Sequence, residues 1–209
     1  QFDVLILYTR AARLLAGGTP AIQAEIQSAV DQANAAYAES QVTTYLNVIE
    51  MTEVAHEESD DLEVDLDRIT AASDGWMDEI HDLRDTLGAD FVVLITDPPN
   101  PNACGVAWTN NGDMSANAPY AFSVTWRQCL SMHMLAHGLG HNMGCEHDRA
   151  NAYDSPLNPY SYGYQFGPEN IYQTIMSYGG GMRIGHFSNP EVNYGGLATG
   201  VAIGQPDAA

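Results

Sequence analysis

Three histidines, His137, His141 and His147, stand at a spacing that suits one shared metal ion. If the residues before Gly144 form a helix, His137 and His141 lie one turn apart on the same face, so two imidazoles converge. A glycine after the last helical turn enters the left-handed region without a Cβ clash, so Gly144 ends the helix and lets the chain bring His147 in from another direction. Three neutral imidazole nitrogens at about 2.0–2.1 Å, with a fourth position open, are the ligand set of a catalytic zinc ion; a structural zinc site is closed. The ordinary alternatives, a packed histidine cluster or histidines scattered along a polar helix, do not account for the placed glycine.

These residues spell His-x-x-x-His-x-x-Gly-x-x-His, and Thr174-Ile175-Met176-Ser177-Tyr178 follows downstream. With those two motifs the chain resembles the metzincin zinc metalloendopeptidases, in particular their bacterial reprolysin (adamalysin)-like branch. The resemblance implies that Met176 passes beneath the metal and that Tyr178 is a transition-state stabiliser, with a merely packed tyrosine as the alternative. It implies an edge strand beside the cleft, here Gly105, Val106, Ala107 and Trp108, on which a protein or peptide substrate lies as an added strand. Arg183 to Pro190 resembles the segment that walls the specificity pocket, placing Phe187 and Ser188 at the cleft.

One position departs from the pattern. Where the family has Glu directly after the first histidine, this chain has Gly138. That Glu is the general base, and acid–base assistance is worth about 10²–10⁴-fold in rate. Glycine also costs about 1 kcal/mol in a helix interior, where Gly140 is already present. Two readings follow: a zinc endopeptidase strongly impaired at Gly138, or a natural pseudoprotease that binds zinc and a peptide or inhibitor without cutting.

The chain has 209 residues, 45% of them hydrophobic, enough for one substantial core. One catalytic domain over 1–209 is expected, with an upper lobe to about residue 147 and a mostly irregular lower lobe over 148–209. The formal charge is −20, and all seven basic residues are arginines. A chain this acidic does not attract nucleic acid or an anionic membrane surface. Solubility is the simplest reason for the charge; preference for basic substrates or calcium in acidic loops is the functional alternative. No apolar run is long enough to span a membrane. The resemblance implies a secreted or periplasmic monomer with its propeptide removed. Of the three cysteines, Cys104 and Cys129 flank the segment leading into the zinc helix and are the first choice for a disulfide, with Cys145–Cys129 as the rival.

The elements that position this site are readable in outline. Phe2 to Thr9 and Phe91 to Ile95 are nearly continuous apolar runs, as in strands covered on both faces. Ile22, Ile26, Val30, Ala33 and Tyr37 mark a long amphipathic helix entered at Thr19-Pro20. Tyr45 to Val54 reads as a second strand, and His56 to Asp67 as an acidic stretch that opens as a solvated loop and ends in a short helix. Met77 to Leu87 reads as another helix ended by Gly88, and Ala121 to Trp126 as the strand before the zinc helix. Strands alternating with helices give an α/β crossover arrangement. The resemblance makes this an α+β metzincin-type fold with a mixed five-stranded twisted sheet.

Overall fold

The computed structural model describes residues 1–112, 118–205 and 207–209. Its centre is a five-stranded mixed sheet built from β1 (Phe2–Thr9), β2 (Leu46–Val54), β3 (Phe91–Thr96), β4 (Gly105–Ala107) and β5 (Phe122–Trp126). The order is β2-β1-β3-β5-β4, with β4 antiparallel to β5 and all other pairs parallel. The helices are α1 (Arg10–Ala16), α2 (Thr19–Glu39), α3 (Leu62–Thr70), α4 (Glu79–Leu87) and α5 (Met134–Asn142).

The uniform apolarity of β1 and β3 follows from having helices on both faces. Val4, Ile6, Val93 and Ile95 pack against Ile22, Ile26, Val30 and Tyr37 of α2 and against Leu135 and Leu139 of α5. The alternate residues Leu5, Leu7, Val92 and Leu94 pack against Leu62, Leu66 and Ile69 of α3 and Ile80 of α4. Successive side chains point to opposite faces of a strand, so a run buried throughout needs two cores. The helix that carries His137 therefore rests on the same sheet face as the longest helix of the molecule.

Several sequence expectations shift. The long helix begins at Thr19 itself, with Gly18 as its cap residue at φ 120. The 7-residue α1, bounded by Thr9 and by Gly17, is short and buries only Ala12 while Leu14 and Leu15 stay exposed, so no apolar stripe announces it. The helix read from Met77 starts at Glu79, because Met77 is buried with φ 54. The acidic stretch is not simply solvated: the Glu58 carboxylate accepts the Asp97 N–H at 2.8 Å and the Thr9 hydroxyl, and buried His56 pairs with Asp65 at 2.8 Å. Beyond α5 the described residues form two-residue strands, turns and one short 3-10 helix, Pro168–Asn170.

Candidate metal centre and cleft

Helix α5 is fixed at both ends. It starts at His133, which takes φ 60, and near its end the Asn142 side-chain amide donates to the Trp108 and Phe122 carbonyls at 2.8 and 3.0 Å. Gly144 then takes φ 93. A Cβ there would also collide with Leu157 and lie 2.9 Å from the Asn110 carbonyl oxygen, so the turn needs glycine on two counts. The Gly144 N–H donates to the His141 carbonyl at 2.9 Å and the Cys145 N–H to the Gly140 carbonyl at 2.9 Å, which closes the helix. The returning chain pairs with the segment around Ser161, with Glu146 N–H to Ser161 carbonyl at 2.8 Å, and this fixes the approach of His147.

All three imidazoles are buried and converge. Nε2 of His141 lies 3.1 Å from Nε2 of His137 and 3.0 Å from Nε2 of His147. Each ring has a backbone carbonyl at its other nitrogen: Ile175 at 2.9 Å from His137 Nδ1, Cys145 at 3.0 Å from His141 Nδ1 and Asn151 at 3.3 Å from His147 Nδ1. Those acceptors assign the proton to Nδ1 on every ring. Three Nε2 lone pairs then face one another, an arrangement that is repulsive until a cation enters. Three nitrogens at about 2.0–2.1 Å from one tetrahedral centre lie about 3.3 Å apart, so the observed spacing fits a metal ion with little adjustment. Among the described residues no other group of three His, Cys, Asp or Glu side chains meets this closely.

The electrostatics agree. Burial pushes the His137 pKa well below its ordinary value, with the neighbouring His141 adding to the effect. Burial, then His147, brings His141 down to about 4. The rings are held neutral, the form in which imidazole binds a metal.

The downstream motif lies where it supports this cluster. Ile175 supplies the carbonyl to His137, and buried Met176 packs below Gly140: a Cβ on Gly140 would meet Met176 Sδ at 2.6 Å. The Tyr178 ring stands edge-on to His147, with centroids 4.4 Å apart, and its backbone N–H donates to Asp148 Oδ2 at 2.9 Å. Asp148 thus ties the third histidine's turn to the downstream loop. Sequence reasoning gave it no role, although its place next to His147 was the available signal.

A cleft of about 940 Å³ opens over the histidines, lined by Gly105, Val106, Ala107 and Trp108, by Gly138 and by Tyr178. Phe187 and Ser188 line a second cavity, of about 700 Å³, together with Tyr37 and Cys145. Phe187 is drawn there because its ring stacks on Tyr37, centroids 5.4 Å apart, and its N–H donates to Ser40 Oγ at 2.7 Å. Cys104 and Cys129 form the disulfide, joining the lead into β4 to the turn before α5. Cys145 is free, and desolvation pushes its thiol up to about 11.

The model of the M12B reprolysin-like metallopeptidase family matches residues 2–203. This chain belongs to that family. Its membership accounts for the histidine cluster, the Met176 loop and the mixed sheet together, and it makes the expected ligand a metal ion. Among curated relatives of this reprolysin-like chain, the peptidyl-Asp metalloendopeptidase of Xanthomonas campestris pv. campestris is 33% identical over 95% of the chain and 46% of the relative. One from Stenotrophomonas maltophilia (strain R551-3) is 33% identical over 95% of the chain and 47% of the relative. One from Pseudomonas aeruginosa is 29% identical over 91% of the chain and 34% of the relative. The chain spans less than half the length of the curated relatives it matches. A chain in a solved structure described as a chaperone–substrate complex shares the fold, with a TM-score of 0.74 at 19% identity over 99% of this chain and 36% of that one.

Proposed function

We propose that this chain is the catalytic part of a zinc endopeptidase whose turnover is held down by Gly138. The reading rests on His141 Nε2 lying within 3.1 Å of Nε2 of both His137 and His147, each ring held in the right tautomer by a carbonyl. His137, His141 and His147 hold the metal. When bound, zinc supplies Lewis acidity toward a peptide carbonyl and acidifies water.

The chain's own residues do the rest. β4 is the outer strand of the sheet, and its half-buried backbone offers an antiparallel partner to an extended peptide. Tyr178 lines the cleft beside His147 and stabilises charge on the substrate carbonyl. Residues 1–147 form the wall with the edge strand, and 148–209 close the site from below as part of the same unit. The relatives' name extends the reading to bonds that adjoin aspartate. The disulfide fits a protein that works outside the reducing cytoplasm, and among the described residues no helix is long and apolar enough to cross a membrane.

Neither neighbouring carboxylate replaces the missing base. Glu146 Oε1 accepts the His147 N–H at 2.8 Å and sits 3.5 Å from His147 Nδ1, on the edge of the ring away from the other histidines. Asp148 is committed to Asn151 and to the Tyr178 N–H. This favours a second reading, a pseudoprotease that binds peptide without cutting it. Casein degradation by the zinc-loaded chain and its Gly138→Glu variant separates them. Slow chelator-sensitive cleavage that rises in the variant supports the endopeptidase. No cleavage by either folded form supports the binding protein.

A further inference from the structure

The cleft is lined by Glu63, Asp67, Glu146 and Asp154 and, among the described residues, by no arginine. In a chain of net charge −20, such a surface repels an acidic substrate. Arg183 is the exception close by. Its guanidinium carbon lies 5.6 Å from the Tyr178 ring centroid, and that ring is 4.4 Å from His147 and 5.6 Å from His137. One aromatic ring therefore separates this cation from the metal-binding nitrogens.

Arg183 is also underused. A guanidinium has five N–H donors in a planar fork. Here one amino group donates to the Ser177 carbonyl at 2.9 Å. The other makes a long contact of 3.5 Å to the Met132 carbonyl and a weak hydrogen bond of 3.4 Å to Met134 Sδ, and Nε–H is buried with no partner. No carboxylate lies within ion-pair distance among the described residues, whereas Arg13, Arg68 and Arg127 each have one. A half-buried cation that lacks a counter-ion and touches two cleft-lining side chains, Met134 and Tyr178, is incomplete until an anion reaches it.

The geometry points to Arg183 as the group that recognises an aspartate side chain next to the scissile bond. This rests on the endopeptidase reading above and adds its specificity determinant. The fork accepts a carboxylate through two parallel hydrogen bonds, and the acidic lining elsewhere excludes other approaches by the same anion. The assignment also explains how so acidic a molecule takes an acidic residue into its cleft: an arginine with no carboxylate partner among the described residues stands against two of the cleft-lining side chains, Tyr178 and Met134.

The test is peptide binding to the zinc-loaded chain, with Gly138 in place so that cleavage is minimal. Two fluorescent peptides are used, identical except for Asp or Asn at one central position. The expected result is tighter binding of the Asp peptide by about tenfold or more, since Asn keeps one acceptor oxygen but loses the charge and the second acceptor. The preference falls to within about twofold in Arg183→Gln, returns in part in Arg183→Lys, and is unchanged in Arg10→Gln at the exposed start of α1. Equal binding of the two peptides by the unaltered chain overturns the assignment of Arg183 and leaves the endopeptidase reading standing, without needing any variant to fold. Retention of the Asp preference in a folded Arg183→Gln overturns it as well. Failure of the unaltered chain to bind either peptide overturns both.

Discussion

A Cβ placed on Gly138 would lie 3.3 Å from the Ser123 Cβ and 3.4 Å from its Oγ, a hydroxyl buried without a hydrogen-bond partner. The space next to the first histidine is nearly large enough for a side chain, and it opens on the cleft. Ser123 must give by a few tenths of an ångström to admit one. Gly138→Glu is therefore expected to fold and to raise kcat on casein by about 10²–10⁴-fold, the usual worth of general acid–base assistance. An unchanged kcat in a folded, metal-loaded variant contradicts this.

The two glycines of α5 behave differently. Gly140→Ala drives a methyl group into Met176 Sδ at 2.6 Å and Phe187 Cε1 at 3.3 Å. Overpacking of this kind costs about 1–3 kcal/mol, which exceeds the roughly 1 kcal/mol gained in helix propensity. Gly138→Ala meets Ser123 at 3.3 Å and Ala107 at an ordinary 3.9 Å, and keeps most of that gain. Thermal unfolding should place Gly140→Ala several degrees below Gly138→Ala, and the reverse order would show that Met176 does not press on the helix.

Acid acts on the metal-free protein through its depressed histidines. The folded chain keeps His141 neutral down to about 4, whereas the unfolded chain protonates it near 6.5. Between those values the unfolded state binds more protons, so stability falls as pH falls through that window and levels off below it. For His141 alone the loss is on the order of 3 kcal/mol. Denaturation midpoints of the metal-free chain from pH 7 to 4 measure it, and His141→Asn should flatten the slope.

Thiol chemistry distinguishes the cysteines. With Cys104 and Cys129 joined and the Cys145 thiol pushed up to about 11, the native chain should react negligibly with a thiol reagent at pH 8. Denaturation without reductant should then release one thiol per chain. Three would mean that the disulfide is absent. Its loss should cost about 2–5 kcal/mol of stability.

The convergence of the histidines was legible because it is local: helical spacing and a left-handed glycine set the positions of His137, His141 and Gly144. The strands β1 and β3 were legible because burial on both faces leaves an unbroken apolar run. What depends on distant pairings was not. Asp148 matters through the Tyr178 N–H thirty residues away, and the position of Phe187 is set by Tyr37 and Ser40 at a remote helix end. His56 showed no partner in sequence, since its contact with Asp65 forms only when the acidic loop folds over the start of α3.

The most direct test of the account is the metal itself. The chain is stripped with chelator, refilled with zinc and dialysed, and its zinc content is measured beside folded His137→Ala, His141→Ala and His147→Ala. The account predicts one tightly held zinc per chain and loss of it in each variant. A folded chain that holds no zinc, or three variants that all keep it, contradicts the account.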